Sequence, residues 1–193
     1  MSDFGDDEWT GMVCVETANV LDNAVPIPAG RTHTMSLRLG VQPYRPAAEA
    51  LRAAGATGAI HTFDQPVPTA RAAADTLGCS VAAIANSLIF DSGGTPILVI
   101  ASGAARVDPK LIATALGVAP LRRASAEFVL THTGQVVGGV CPVGHPQPIR
   151  TVVDVSLGEH EQVWAGAGDE HSMVATSLAE LVAITGGTAI QVR

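Results

Sequence analysis

Short apolar stretches alternate with polar ones along the chain, and their spacing switches repeatedly between helical and strand-like periods. Helical spacing predicts short helices at residues 47–54, 68–77, 81–85, 108–116, 122–128 and 177–184. Strand-like spacing predicts strands at residues 60–63, 87–90, 96–100, 152–154, 162–165 and 171–174, and a hairpin over residues 129–140. Because strands and helices do not alternate regularly, the pattern predicts an α+β fold, with a twisted mixed β-sheet or partial barrel flanked by short helices.

Residues that favour helix ends and turns support several of these boundaries. Asp108, followed by a proline, stands at a helix start, and Gly117 follows the last residue of the same helix. Ser177 and Glu180 have the spacing of a capping box. The glycines within residues 91–95 predict a tight turn between two strands.

The first 42 residues differ in pattern and charge from the rest. Strand-like alternation over residues 12–41 predicts a two-stranded appendage. This part holds six acidic and two basic residues, a net charge of −4, whereas the remainder holds twelve and nine, a net charge of −3. The sequence therefore predicts two parts, residues 1–42 and a main domain at residues 46–193, and we expect the second to fold without the first.

Composition restricts the class of protein. The 193 residues are 47% hydrophobic and only 4% aromatic, which is enough for one core built from Ala, Val, Leu and Ile. No apolar run reaches transmembrane length, and the chain opens with acidic residues rather than a basic leader. We therefore expect a cytoplasmic protein without a membrane partner.

The net charge of −7, with a single lysine, disfavours strong independent binding to nucleic acid, and we expect no DNA partner. One basic cluster is present, formed by Arg106, Lys110, Arg122 and Arg123. It is interpreted either as a solvated face or as a small contact with a nucleic acid.

Cysteines and histidines offer few candidates for chemistry. Cys14, Cys79 and Cys141 are far apart and lack metal-binding spacing, so we expect no metal and no cofactor. Cys141 lies among glycines, where a small loop residue is preferred over a nucleophile, because nothing near it in sequence would lower the pKa of its thiol. His145 and His171 are each open to a structural or a catalytic interpretation.

A glycine- and proline-rich segment at residues 133–145, here called the glycine loop, has the most informative pattern. Val136 and Val137 favour a strand, whereas Gly138 and Gly139 remove side chains where something approaches the backbone closely. The segment fits neither a P-loop nor a dinucleotide-binding fingerprint. It is either a hairpin corner or the wall of a binding site.

Three motifs occur in order over residues 46–193: Ile84-Ala85-Asn86-Ser87-Leu88-Ile89-Phe90, then Thr133-Gly134-Gln135, then Gly138-x-x-x-Pro142. This order resembles the YbaK/EbsC family, which is related to the editing insertion of prolyl-tRNA synthetase. The resemblance implies hydrolysis, in trans, of the ester bond of mischarged aminoacyl-tRNA. It also implies a water positioned by backbone groups and by the substrate's own hydroxyl, without a metal.

The resemblance implies a pocket between the strand that bears Asn86, the glycine loop and residues 166–171, and it implies roles for individual residues. The implied catalytic residues are Asn86, Gly138, Gly139 and His171. The implied substrate-binding residues are Ser87, Ser102, Val140, Pro142, Asp154, Gly166 and Gly168. For Asp154, the pattern also allows a buried carboxylate that holds backbone N–H groups. The implied partners are the acceptor end of aminoacyl-tRNA and an aminoacyl-tRNA synthetase.

One position departs from the family pattern. Many members carry a Lys where this chain has Asn86, and an amide forfeits the charge-assisted hydrogen bond of an ammonium group. A non-catalytic module that binds an aminoacyl group or a synthetase is therefore the alternative to an editing hydrolase.

The first 42 residues resemble the C-terminal end of hexose-6-phosphate mutarotases, in which the counterpart of Glu16 is the catalytic base. General acid–base chemistry on a sugar needs a second group on the opposite side of the ring, and that part of the family's sequence is absent here. An inert remnant is the preferred interpretation, and a sugar mutarotase is a third alternative.

Overall fold

A computed structural model describes residues 47–193, which fall within the compact unit Gln42–Arg193. The helices of this part are α1 (Ala47–Ala54), α2 (Ala70–Leu77), α3 (Pro109–Leu116), α4 (Ala126–Thr133) and α5 (Leu178–Thr185). Its strands are β1 (Ile60–Thr62), β2 (Ile84–Ser92), β3 (Thr95–Ser102), β4 (Arg122–Arg123), β5 (Arg150–Asp154), β6 (Val163–Gly166), β7 (Ser172–Thr176) and β8 (Thr188–Ile190). The predictions made for residues 1–42, including the two-stranded appendage and the role of Glu16, lie outside the described residues. Within residues 47–193, no helix is long and apolar enough to cross a bilayer.

The strands form one mixed sheet in the order β1-β7-β6-β2-β3-β5-β8, and the short β4 pairs with β2 outside this path. β2 and β3 form an antiparallel hairpin that turns at Gly93 and Gly94, both with positive φ. β5 lies parallel to β3, and β6 lies parallel to β2. This arrangement of a mixed sheet with short helices confirms the predicted α+β fold.

β3 runs through the centre of the core, since residues 97–101 are at most 1% exposed. Successive side chains of a strand point to opposite faces of the sheet, and both faces of β3 are covered. Leu98 packs in a cluster that includes Leu181 of α5, whereas Val99 packs in a second cluster with Ile112 of α3. The buried β3 gives its hairpin partner β2 a fixed position.

The helix ends follow the sequence signals closely in α3. Oδ1 of Asp108 accepts the N–H of Lys110 at 2.9 Å and caps the helix, as predicted. Gly117 ends the helix in the left-handed region, with φ of +63°.

The capping box predicted for α5 is only half formed. Ser177 Oγ accepts the N–H of Glu180 at 3.2 Å. The Glu180 carboxylate does not return to the N-cap but accepts hydrogen bonds from Thr57 N and Oγ1, at 2.8 and 2.7 Å, and from Thr176 Oγ1 at 2.6 Å. These bonds join α5 to β7 and to the loop before β1, and they hold the pKa of Glu180 below its ordinary value against the opposing effect of burial, which is the largest single influence.

The helix predicted over residues 122–128 is wrong at its start. Arg122 and Arg123 form β4, paired with Phe90 and Asp91 of β2. α4 begins only after Ser125, whose Oγ accepts the N–H of Phe128 at 3.1 Å. The strand β8, which extends the sheet beyond β5, was not predicted.

The hairpin predicted over residues 129–140 is also wrong, because α4 extends to Thr133 and Gly134, with φ of +70°, ends it. Val136 and Val137 belong to no strand and are 57% and 60% exposed. Their β-branched side chains favour extended backbone locally, but a strand needs a paired neighbour, and no strand in the described part of the chain pairs with this segment.

The sheet has a gap along one edge of β2. On that edge β6 pairs only with Ile84 and Ala85, and β4 pairs only with Phe90 and Asp91. Among residues 47–193, no strand therefore pairs with residues 86–89 on this edge. In the β2–β3 hairpin, alternate residues of β2 direct their backbone groups toward β3, and the N–H and C=O groups of Ser87 and Ile89 face the gap.

Candidate functional site

Two cavities lie at this gap, one on each side of a shared wall. The smaller cavity, of about 40 Å³, lies between β2, the start of α2, the glycine loop and residues 166–173. The larger cavity, of about 370 Å³, lies between β2, β4, α4, the segment before α3 and the glycine loop. Ser87, Gly138 and Val140 line both cavities, so the two volumes form one cleft.

The glycine loop reaches the cleft through two positions where a side chain is disfavoured. Gly138 has φ of +99°, a conformation that side chains disfavour. A Cβ at Gly139 would lie 2.6 Å from the Cα of Asp169, so the backbones of the loop and of the facing segment touch directly. A Cβ on Gly166 would likewise lie 3.1 Å from the carbonyl oxygen of Val140.

Side-chain hydrogen bonds hold the base of the loop. Thr133 Oγ1 accepts the N–H of Gln135 at 3.0 Å and donates to the carbonyl of Val129 at 2.7 Å. Oε1 of Gln135 accepts the N–H of Cys141 at 2.6 Å, which closes the loop into a ring. Nε2 of His145 lies 2.9 Å from the carbonyl oxygen of Cys141. Thr133, Gln135 and Cys141 are all buried, so the base is fixed while the tip at Val137 is exposed.

Burial also shifts the pKa values of two side chains where the glycine loop is anchored, Cys141 and His145. It raises the pKa of the Cys141 thiol to about 11, with a smaller opposing effect from a backbone hydrogen bond with Val143. It lowers the pKa of His145, which the carbonyl of Cys141 partly offsets. A thiol protonated at neutral pH is a poor nucleophile, which supports the interpretation of Cys141 as a small structural residue.

β2 supplies the second wall of the cleft. Asn86 is exposed and lines the smaller cavity. Ser87 Oγ is buried and, within residues 47–193, has no hydrogen-bond partner. The backbone N–H groups of Ser87 and Ile89 point away from β3 and into the gap. No hydrogen bond from either group to a turn, loop or cap of the described residues is present. This wall therefore directs two backbone N–H donors toward the gap, and the Ser87 hydroxyl is buried beside them.

Residues 166–173 and the start of α2 supply the third wall. Asp169 Oδ1 accepts the N–H of His171 at 2.8 Å and the hydroxyl of Ser172 at 2.7 Å. Within residues 47–193, its second oxygen has no hydrogen-bond donor. Thr69 caps α2 by accepting the N–H of Ala72, and it faces the cavity together with Pro68. Asp169 is the only charged residue among the described residues that line the smaller cavity.

The structure brings five of the predicted site residues together in the cleft: Asn86, Ser87, Gly138, Val140 and Gly166. Gly139 lines neither cavity, but its backbone packs against that of Asp169, which lines the smaller cavity. Pro142 is buried and lines neither cavity.

The other predicted site residues, Ser102, Asp154, Gly168 and His171, line neither cavity. Asp154 is fully buried, and its carboxylate accepts the N–H groups of Ser102 and Ser156 at 3.2 and 3.0 Å, as in the structural interpretation of this residue. Ser102 Oγ donates to the carbonyl of Ala82 at 2.9 Å. Nδ1 of His171 lies 3.2 Å from the carbonyl oxygen of Phe63, at the junction with β1.

Gly168 also lies outside the cleft. It has φ of +110°, and a Cβ there would lie 2.4 Å from the Cβ of Ala47 in α1. This glycine allows α1 to pack against the segment that carries Asp169.

Sequence reasoning missed Thr69, Asp169 and Met173, which also line the smaller cavity. The N-cap spacing of Thr69 and Ala72 was a detectable helix signal, but nothing in the sequence connects it with the glycine loop. Asp169 lies within residues 166–171, where the resemblance implies one wall of the pocket, but the sequence did not single it out as a site residue. Within residues 47–193, no three His, Cys, Asp or Glu side chains lie close enough to hold a metal ion.

Comparisons with known proteins give a consistent result. Residues 64–184 match the family model described as "Aminoacyl-tRNA editing domain". The uncharacterized protein YwhH of Bacillus subtilis is 35% identical over 123 residues, which are 63% of this chain and 78% of that protein. These matches give no support to the mutarotase resemblance of residues 1–42.

Two solved structures resemble the described fold. A proposed trans-editing enzyme for prolyl tRNA synthetase superposes with a TM-score of 0.72 at 31% identity, over 80% of this chain and 99% of that one. The hypothetical protein APE2540 superposes with a TM-score of 0.71 at 34% identity, over 77% of this chain and 99% of that one.

Proposed function

Because the chain belongs to the family of aminoacyl-tRNA editing domains, we propose that the cleft between β2 and the glycine loop is where it hydrolyses the ester of mischarged aminoacyl-tRNA. The observation that carries this assignment is the convergence of Asn86, Ser87 and Gly138 on one cavity. Asn86 and Gly138 are more than fifty residues apart in the sequence, and the fold places them on opposite walls.

The chemistry needs one water and no covalent intermediate. The water oxygen attacks the ester carbonyl carbon, the bond from that carbon to the ribose oxygen breaks, and the ribose oxygen takes a proton. The products are the free amino acid and the tRNA with its terminal hydroxyl restored. The transition state places negative charge on the former carbonyl oxygen, and oriented N–H donors stabilise such charge.

Donors of this kind line the gap in the sheet. The backbone N–H groups of Ser87 and Ile89 are fixed by the hairpin of β2 with the buried β3, so they need little reorganisation during the reaction. The amide of Asn86 adds one further donor at the mouth of the smaller cavity. The hydrogen bond between Gln135 and Cys141 fixes the glycine loop where it is anchored. It therefore keeps the wall formed by the loop at a constant distance from β2.

Asp169 has the chemistry to bind the α-amino group of the aminoacyl substrate. Its Oδ1 is already occupied by His171 and Ser172, which hold the carboxylate in place and leave Oδ2 for a ligand. An ammonium group beside a carboxylate forms a charge-assisted hydrogen bond. The aminoacyl group would then lie in the smaller cavity, with its ester at the shared wall near Ser87 and Gly138.

Similarity to a proposed trans-editing enzyme for prolyl tRNA synthetase favours action in trans on the acceptor end of tRNA. The two structures superpose over 99% of that solved chain, at 31% identity. We propose that this chain likewise acts as a separate protein alongside a synthetase. It would release the amino acid from mischarged tRNA after that tRNA has dissociated from the synthetase.

One observation favours a second function. Among the described residues that line the smaller cavity there is no Lys or Arg, and Asn86 provides only a neutral donor. A module that binds the aminoacyl end or a synthetase without hydrolysis would have the same walls.

A deacylation screen separates the two functions. The purified full chain is incubated with a panel of mischarged tRNAs, and release of the amino acid is followed over time. We expect hydrolysis of at least one, lost in Gly138→Val, because φ of +99° disfavours a β-branched side chain. Gly94→Val is the matched control, since Gly94 has φ of +91° in a turn that lines neither cavity. Binding without release across the whole panel would instead support the non-catalytic module.

A further inference from the structure

Two buried polar side chains, Asp154 and Ser102, line neither cavity and have no part in the chemistry proposed above. Asp154 ends β5 and is fully buried, and Ser102 ends β3 and is 5% exposed. Burying a polar group is costly unless it is hydrogen-bonded, so its partners indicate what it stabilises. Because Asp154 Oδ2 accepts the N–H of Ser102 at 3.2 Å, the carboxylate fixes the end of β3 against the end of β5.

The end of β3 in turn holds the segment that leads into β2. Ser102 Oγ donates to the carbonyl of Ala82 at 2.9 Å, and Ala82 belongs to the short 3₁₀ helix Val81–Ala83 directly before β2. The N–H of Gly103 donates to the carbonyl of Ile84, the first residue of β2, at 2.7 Å. Two hydrogen bonds from successive residues therefore fix where β2 begins.

The first turn of α2 meets the same point. A Cβ on Gly103 would lie 2.6 Å from the carbonyl oxygen of Val81 and 2.8 Å from the Cβ of Ala70, so the end of β3 packs directly against both. Ala70 begins α2, and both Ala70 and Ile84 line the smaller cavity. The end of β3 is thus a common support for two walls of that cavity.

Asn86 depends on this support because of its place on β2. It follows Ile84 by two residues, a distance of about 3.3 Å per residue along a strand. The pairing of β2 with β6 ends at Ala85, whereas Asn86 pairs with Ala101, the neighbour of Ser102 in β3. A shift at the end of β3 is therefore transmitted to Asn86 with no strand on the gap edge, among the described residues, to resist it.

We propose that Ser102 and Asp154 are positioning residues, which set the place of the Asn86 amide relative to the first turn of α2. They act through the hydrogen bonds to Ala82 and Ile84 and do not touch the substrate. This role differs from the substrate binding that the family resemblance implies for both residues. The inference rests on the proposed function in one respect, because it takes Asn86 as a donor to the reacting ester.

The test compares Ser102→Ala with Ser92→Ala in the full chain. Ser92 is a close match, since it ends β2 at the other end of the same hairpin, is 7% exposed and donates its hydroxyl to the carbonyl of Ala119 at 2.8 Å. It lines neither cavity. The readouts are kcat and KM for a mischarged tRNA found in the screen, and the amide hydrogen exchange of residues 81–87.

We expect Ser102→Ala to lower kcat by about tenfold with little change in KM, because the displaced amide fails to meet the transition state. Exchange of residues 81–87 should become faster. Ser92→Ala should change neither readout, although both variants lose thermal stability. If Ser102→Ala does not fold, as judged by circular dichroism, Ser102→Cys replaces it, with Ser92→Cys as its control, since a thiol has nearly the same size and is a weak donor.

A double variant separates positioning from a general loss of packing. In the Asn86→Ala background, Ser102→Ala should lower kcat no further, since the group that Ser102 positions is gone. Asp154→Asn, which sets an amide NH₂ against one of the two backbone N–H groups, should show the same dependence on Asn86. A second tenfold fall in either double variant would overturn the inference.

The outcomes also separate this inference from the proposed function. Unchanged kcat in Ser102→Ala, in a protein that hydrolyses its substrate, would overturn the positioning role and keep the hydrolase assignment. If the wild type hydrolyses none of the panel, the exchange measurement decides. Faster exchange of residues 81–87 in Ser102→Ala alone would keep the support of β2 by Ser102 and remove the hydrolase assignment. Equal exchange in the two serine variants would overturn the inference in either case.

Discussion

The two walls of the cleft are built in opposite ways. β2 is a regular strand, paired with β3 over eight residues and backed by a core strand that is almost fully buried. The glycine loop pairs with none of the strands β1 to β8 and is held by single side-chain hydrogen bonds, of which the one from Cys141 N–H to Gln135 is the shortest. A regular wall gives oriented backbone donors, whereas an irregular wall gives close backbone approach, and the cleft needs both. Changes on the loop side should therefore act through geometry, and changes on the strand side through single groups.

The largest effect is expected from Gly139→Ala in the loop wall. Its Cβ would lie 2.6 Å from the Cα of Asp169, so the two backbones must separate. Because this shift moves the loop and misplaces Asp169, we expect kcat/KM to fall by at least about a thousandfold. Steady-state kinetics check this, with Gly94→Ala as the control. Normal activity in Gly139→Ala would show that the loop wall does not set the geometry of the cleft.

On the strand wall, Asn86→Ala removes one oriented donor and leaves the β2–β3 ladder in place. We expect turnover to fall roughly ten- to a thousandfold, without a change in thermal stability. Asn86→Lys should preserve or raise activity, since an ammonium group at this position would donate a charge-assisted hydrogen bond. The exposed amide of Gln162, changed to Ala, is the control. Robust hydrolysis that is indifferent to Asn86→Ala would remove this residue from the site.

At the base of the loop, Gln135→Leu removes the acceptor for the buried N–H of Cys141. An unsatisfied buried donor costs about 1–3 kcal/mol. The change also removes Nε2 of Gln135, which is buried without a partner among the described residues, so the free energy of unfolding should fall by an amount near the lower end of that range. Activity should fall by about tenfold, since the loop wall loses its closure. Denaturant unfolding and kinetics measure the two effects. Equal stability of Gln135→Leu and wild type would mean that the loop does not depend on this bond.

The smallest effect concerns pH. Burial holds the pKa of His145 below its ordinary value of 6.5, so the unfolded chain binds more protons than the folded one in the range just below that value. The contribution of His145 to stability is therefore complete above about pH 6.5 and is lost as the pH falls. His145→Gln should lessen the loss of stability between pH 7 and 5, measured by thermal unfolding. Parallel curves for the two proteins would contradict this.

The contrast between the walls also explains what the sequence could predict. Asp108 and Gly117 act within their own helix, and the turn at Gly93 and Gly94 acts within its own hairpin, so local chemistry was sufficient for them. Val136 and Val137 were misassigned because a strand depends on its neighbours, and the helix α4 uses the residues that would have formed the other half of the hairpin.

The site divides in the same manner. Asn86 and Gly138 could be proposed from the sequence because each belongs to one of the three motifs that occur in order along the chain. Thr69 and Asp169 could not, because their place in the cleft results from α2 and the segment after β6 folding against the loop. For Asp154, the sequence allowed a buried carboxylate that holds backbone N–H groups, but it could not show that these N–H groups belong to Ser102 and Ser156.

The gap along β2 has a consequence for solubility. Unpaired N–H and C=O groups at a sheet edge are a template on which a strand from another molecule can add. Here that template is only a few residues long, is bounded by β6 and β4, and lies behind the glycine loop. We therefore expect the loop to limit self-association, so that variants that loosen it aggregate on heating before their helices melt.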